Sequence, residues 1–164
     1  MKQIDVGKNK VALVDDELFD ELSQYEWRAE FLNNKWCVKR HALKKDGATE
    51  HHKWNIIMSR QISNAPSDMQ VDHRNHNSFD NRRCSLRLAT NSQNQMNRIR
   101  NPKSRFKYEG IVKYKIHSKY GAVITLNHKI IRLGYFATEH EAALAYDVAA
   151  RKYFGEFALP NFGT

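Results

Sequence analysis

VDHRNHNSFDNRRCSLRLATNSQNQMNR, residues 71–98, is the stretch whose reading decides the fold. An Asp-His pair follows the β-compatible Met69-Gln70-Val71. A loop of Arg and Asn comes next, then Leu86-Arg87-Leu88, again β-compatible, and then a run of amide side chains. Thr90 or Asn91 can cap a helix carrying Ser92-Gln93-Asn94. The pattern predicts a hairpin followed by a helix, and it is too polar to be a hydrophobic core. Folded back, it would bring Asn94, in the helix's first turn, beside Asp72 at the end of the first strand. A carboxylate oxygen and an amide oxygen make a weak, open set of hard ligands. Such a set suits Mg²⁺ or Mn²⁺, with phosphate and water completing the shell. His73, adjacent to Asp72 on a strand, points to the opposite side, where it can take a proton from an attacking water. Arg82, Arg83 and Arg87 can supply cations for the charge that develops on a phosphodiester. Taken singly, each of these residues also fits a plainer role as a turn, a cap or a solvated face.

The charge points the same way. The chain of 164 residues carries a formal net charge of +9. From Arg74 to Lys107 there are nine Lys or Arg and one acid, Asp80, a local excess of +8. Residues 1–73 sum to −1 and residues 108–164 to +2. A solvated face mixes signs, so this concentration favours a polyanionic partner. Nucleic acid fits better than membrane because no amphipathic apolar stripe accompanies the charge. No apolar run approaches the roughly 18–20 residues that span a bilayer. The N-terminus MKQIDVGKNK has no apolar core of a signal peptide. Cys37 and Cys84 form no CxxC pair, which argues against a zinc knuckle and for a reduced interior, the cytoplasm of a bacterial or phage-infected cell.

Around the central stretch the chain divides into further segments. Lys10–Val14 reads as a strand. DDELFDELSQYEW reads as a helix capped at Asp15/Asp16, with Leu18, Phe19, Leu22 and Tyr25 on one face. Trp27–Phe31 and Trp36–Val38 alternate about Asn33-Asn34, a hairpin signal, and Lys45-Asp46-Gly47 reads as a tight turn. A short helix is expected around Trp54–Ile62. Beyond a basic linker at 101–107, three strands are expected: Gly110–Ile116, Tyr120–Leu126 and Lys129–Tyr135, the last two joined by Asn127-His128. A helix follows at Thr138, where Glu141 completes a capping box. It carries Ala142, Tyr146, Ala149 and Tyr153 on one face and stops at Gly155.

The spaced identities VDHxNxNxxDNRRxxLRxxTxxxNxxNR, from Val71 to Arg98, resemble the HNH endonucleases of phages and mobile introns, with their ββα-metal fold. The lead-in KVALVDDELFDELSQYEW is similar to the N-terminal portion of such phage proteins. The resemblance implies His73 as general base, Asp72 and Asn94 as ligands of one Mg²⁺ or Mn²⁺, and Leu86-Arg87 within the family's Asn-Leu-Arg sequence. Ser85 stands where the family has the Asn that ties the loop and holds the histidine. Its hydroxyl offers fewer hydrogen bonds, and Asn81 is the neighbour able to compensate. Ser59, in Met58-Ser59-Arg60, replaces a histidine common in relatives.

The segment from Tyr108 onward resembles the APETALA-2/ethylene-response-factor DNA-binding domain. The agreement runs through Tyr108-Glu109-Gly110, Leu133-Gly134-Tyr135-Phe136, Ala142–Asp147 and Phe154-Gly155. Members lay a three-stranded sheet into the major groove, with the helix behind. Arg132 falls where they place a DNA-contacting side chain. Lys113 and Lys115 share one strand face, with Tyr114 on the other, and such lysines suit phosphates better than bases. Tyr120, Leu133, Phe136 and Tyr146 read as core.

The expected protein is therefore α+β, with an N-terminal region (1–66), a ββα-metal module (67–100), a linker (101–107) and a DNA-reading sheet with its helix (108–164). His73, Ser85 and Arg83 form the expected catalytic set. Arg82, Arg87, Arg98, Lys103, Arg105, Lys113, Lys115 and Arg132 are the expected DNA contacts. The partner is double-stranded DNA, with no small-molecule cofactor, and a monomer is expected. The function that follows is a homing-type endonuclease, with a nuclease that has lost catalysis and survives as a DNA-binding regulator as the alternative. An RNA-binding role rests on charge alone.

Overall fold

The computed structural model describes residues 1–49, 54–98, 104–114, 119–126 and 129–163. The expected contacts Lys103 and Lys115, the Asn127-His128 turn and residues 101–103 of the linker lie outside them. The chain packs into two units, Met1–Thr90 and Asn91–Thr164. Both mix strands with short helices, so the α+β class holds. No helix among the described residues is long and apolar enough to cross a membrane.

In the first unit, β1 (Lys2–Asp5) and β2 (Val11–Val14) form an antiparallel hairpin whose first strand the sequence did not announce. A 3₁₀ turn at Asp16–Leu18 leads into α1 (Phe19–Leu22), shorter than the expected helix. It ends early because the Trp27 indole donates to the Leu22 carbonyl at 2.8 Å and so folds the chain back. β3 (Arg28–Leu32) and β4 (Lys35–His41) pair across Asn33 and Asn34, both left-handed, as a two-residue hairpin turn requires. β5 (Asn55–Ile57) adds to β4, and α2 (Met58–Ile62) follows. The helix expected over Trp54–Ile62 thus starts late, since Ile56-Ile57 suits the sheet edge that His41–Lys39 offers. Ile4, Val6, Ala12, Val14, Leu22, Trp27, Ala29, Val38 and Met58 form one core.

Arg40 is buried at the side of this core, with its guanidinium 4.0 Å from the Tyr25 ring centroid and paired to Asp46 at 2.6 Å. The bond from Arg40, and then that from the Leu43 amide, lower the Asp46 pKa to about 2. A lowered carboxylate pKa stabilises the fold above its unfolded value near 4, and that contribution is lost as pH falls toward 2. Urea midpoints of the first unit are therefore expected to drop over this window, and less steeply in an Asp46→Asn chain.

β6 (Gln70–His73) and β7 (Leu86–Ala89) complete the unit as a two-stranded antiparallel sheet. Arg60 donates to the carbonyls of Pro66 and Met69 at 2.6 and 2.7 Å, fixing the approach to β6. Ser59 is buried at the start of α2.

The second unit opens with α3 (Asn91–Met96), starting where the sequence placed it. β8 (Ile111–Lys113), β9 (Tyr120–Leu126) and β10 (Lys129–Phe136) form a sheet in the order β10-β9-β8, and α4 (Glu139–Phe154) packs on it. Thr138 and Glu141 form the capping box. Ala142, Ala143, Ala149 and Ala150 are buried and let the helix lie close to the sheet. Tyr153, expected on the buried face, is exposed, and Phe154 is buried in its place, four residues on from Ala150. Asp147 accepts bonds from the Asn161 amides and the Phe162 N–H, fastening the C-terminal segment. At Gly121 a Cβ would stand 2.6 Å from the Tyr114 ring, which covers the strand.

Candidate active site

The β6–β7 register sets Asp72 opposite Arg87 and His73 opposite Leu86. Asp72 and Arg87 are both buried, and the Arg87 Nε and Nη2 reach Asp72 Oδ2 at 2.8 and 2.7 Å. His73, on the other side of the strand, bonds through its ring to Asn81. The Asn81 Nδ2 donates to the Ser78 carbonyl at 3.3 Å, so its Oδ1 is the acceptor toward the histidine. His73 Nε2 is buried with no hydrogen-bond partner. Nε2 is the ring nitrogen left without a partner, and Asn81 is the side chain that favours the charged ring. Burial pushes the His73 pKa below its ordinary value, against the pull of Asn81, Asp72 and Asp80.

The loop between the strands is organised by Asp80, which is 2% exposed. Its carboxylate accepts from Arg82 Nε and Nη2, from the Ser85 hydroxyl and from Asn75 Nδ2, each at 2.7 Å. These bonds, that from Arg82 first, hold the carboxyl far below the usual range. The same loop is sewn to β2: Leu13 N–H donates to the Phe79 carbonyl at 2.8 Å, and Asn81 N–H to the Leu13 carbonyl at 2.9 Å. Asp15, expected to cap a helix, instead accepts from the Arg83 N–H at 2.8 Å.

An uncharacterized HNH endonuclease of Acanthamoeba polyphaga mimivirus is 31% identical over 157 residues, which cover 94% of this chain and 76% of that protein. The chain belongs to the HNH endonuclease family. Its last third has other relatives. An AP2-like ethylene-responsive transcription factor of Arabidopsis thaliana is 41% identical over 58 residues, 34% of this chain but 17% of that protein. An AP2/ERF and B3 domain-containing transcription repressor of the same plant is 41% identical over 56 residues, 34% of this chain and 15% of its own length. No family model matches the chain.

In this HNH chain the residues named from sequence fall into several settings. Arg87 faces Asp72, Arg82 faces Asp80, and Arg83 pairs with Glu17, so each of the three arginines has a carboxylate beside it. Ser85 is buried and tied to Asp80. Asn94 lies on α3, in the second unit. Arg98 and Arg105 are exposed. Lys113 holds its ammonium over the Tyr120 ring, 5.1 Å from the centroid, on the side of the sheet where Tyr120 packs against the core. Tyr114 lies on the opposite face with Tyr135, and so does Arg132, next to the exposed Ile130. Sequence reasoning did not name Asp80, Asn75 or Lys35. The spacing NxNxxDN carried the signal for the first two, since closely spaced amides and an acid in a loop bond one another's backbone and side chains.

Proposed function

We propose that this chain is a metal-dependent DNA endonuclease of the homing type that nicks one strand of duplex DNA. His73 carries the reading. A half-buried imidazole beside Asn81, with its Nε2 atom buried and without a partner, is built to take a proton from an attacking water. Asp72 is the metal ligand supplied by the first unit and Asn94 the one the family pattern adds. Among the described residues no three His, Cys, Asp or Glu side chains could hold a metal ion. A set of oxygen donors this small fits a hard cation, Mg²⁺ or Mn²⁺, that keeps water and phosphate oxygens in its shell. Such an ion, when bound, stabilises the charge on the leaving oxygen.

The sheet of the second unit selects the site, with Arg132 on the face away from α4 and the helix supporting it. One active site per chain makes a single-strand nick the simplest product, and the protein acts as a monomer. The alternative, a silent nuclease that only binds DNA, was suggested by Ser85. Against it stands the bond from the Ser85 hydroxyl to Asp80, which ties the loop at that position. The test is nicking of a supercoiled DNA library with Mg²⁺, Mn²⁺ or EDTA, followed by sequencing of the ends. Metal-dependent nicks at a defined sequence, lost in His73→Ala, support the reading. Nicks that persist in His73→Ala overturn it.

A further inference from the structure

Arg82, Arg83 and Arg87, the cations the sequence offered to the phosphate, each sit against a carboxylate. A phosphodiester brought to His73 still needs positive charge around it. The first unit supplies that charge from elsewhere in the chain. Lys35, exposed at the start of β4, acts electrostatically on both His73 and His76. Its neighbour Trp36 packs its ring on Phe79, within the His73–Ser85 loop, at 5.8 Å between centroids. Lys10 holds its ammonium 4.7 Å from the Trp36 ring and 5.2 Å from the Phe79 ring, and Lys8 lies 5.7 Å from Trp36. No side-chain ion pair engages Lys8, Lys10 or Lys35 among the described residues.

Lys8 stands at the tip of a hairpin turn. It occupies the β1–β2 turn with φ of 56°, in the left-handed region that Asn and Gly enter at least cost. Asn9 follows with φ of 55°, as a two-residue hairpin turn requires, and the turn leaves the Lys8 side chain exposed. From these observations we propose that Lys8 and Lys10, set over the Trp36–Phe79 ring pair, and Lys35, next to Trp36 in β4, form a phosphate grip that holds the backbone of duplex DNA beside His73. The inference rests on the nuclease reading for its choice of ligand. The Trp36 ring is already flanked by Phe31, Phe79 and the two lysines, so it offers a rigid mount for cations and not a platform for stacked bases.

The experiment is equilibrium binding of the full chain, in EDTA, to a fluorescein-labelled random-sequence duplex of about 30 base pairs over a salt series. In the Lys8→Asn/Lys35→Gln chain the slope of log K against log salt is expected to fall by about 2, near 0.9 for each phosphate no longer neutralised. Affinity near 0.1 M salt is expected to fall on the order of 10-fold. Thermal stability should hold or rise, because Asn relieves the turn. An unchanged slope overturns the grip. So does a slope change seen only with single-stranded DNA that outcompetes the duplex. EDTA prevents cleavage, so the two readings separate: a reduced slope in a chain that never nicks keeps the grip and sinks the nuclease, and His73-dependent nicking with an unchanged slope does the reverse.

Discussion

Replacing Asn81 with Ala is expected to slow nicking by about 10²-fold once DNA is bound, and His73→Ala by about 10²–10⁴-fold, the range a general base contributes. Both variants should bind duplex DNA in EDTA as the unaltered chain does, because neither side chain is an exposed cation. The two losses have different origins. His73→Ala removes the base. Asn81→Ala leaves it in place but removes the side chain that favours the charged ring, the state the base reaches on taking its proton. Asn81→Asp keeps an oxygen acceptor at that point and should recover part of the rate, whereas a merely structural role would not discriminate Asp from Ala. Single-turnover rates on a preformed complex, with urea midpoints measured alongside, make the comparison. Asn81→Ala also loses the bond to the Ser78 carbonyl, a change of about 1 kcal/mol. A rate equal to the parent's in Asn81→Ala would remove Asn81 from the mechanism.

The relation between Ser85 and Asp80 shows how far the sequence could be read. Alternation and turn residues were enough to place β6, β7 and the start of α3, since a strand pair around a polar loop leaves a strong local pattern. Residue spacing also set Asp72 and His73 side by side on the first strand of that pair. It did not show what replaces the family's loop-tying asparagine, because that task is divided here. Ser85 donates to Asp80, Asp80 gathers Asn75 and Arg82, and Asn81 takes the histidine. Each bond is ordinary and none has a spacing that announces it. The short α1 was illegible for a similar reason: its periodic pattern continues to Tyr25, and only the tertiary bond from the Trp27 indole ends the helix at Leu22. The arginines each meet a carboxylate that the local sequence does not show. A count of cations cannot tell a phosphate contact from half of an ion pair, and Glu17 and Asp15 reach the loop from more than 60 residues away in sequence. In the second unit Thr138, Glu141 and the alanines made α4 readable, and alternation sorted Lys113 from Tyr114 between the sheet faces, whereas which of the two faces meets the core followed from packing.

The second large effect is expected at Gly110, where substitution by Ala should destabilise the Asn91–Thr164 unit by about 2–5 kcal/mol. Two costs add. Gly110 has φ of 74°, a conformation that disfavours any Cβ by roughly 1–2 kcal/mol. A Cβ at this position would also stand 1.9 Å from Tyr146 Cδ2 and 2.5 Å from Cε2, far inside contact distance. Tyr146 is 8% exposed and packs with Ile124, Ala149, Ala150 and Phe154, so its ring cannot move aside without opening that cluster, an overpacking cost of about 1–3 kcal/mol. The Gly110 carbonyl accepts from the Val123 N–H at 2.8 Å, which ties the turn to β9 and prevents the backbone from retreating instead. The loss should stay within the second unit, because the core around Leu22, Trp27 and Met58 contains none of these residues. Hydrogen exchange is the measurement that resolves this: amides of β8, β9 and α4 should exchange faster, by on the order of 10²-fold, and those of β2, β4 and β6 at unchanged rates. Site-selective nicking should fall with the sheet, while His73 and Asn81 keep their geometry. Equal acceleration in both units would mean that the chain unfolds as one body, and the assignment of site selection to a separately stable reader would fail.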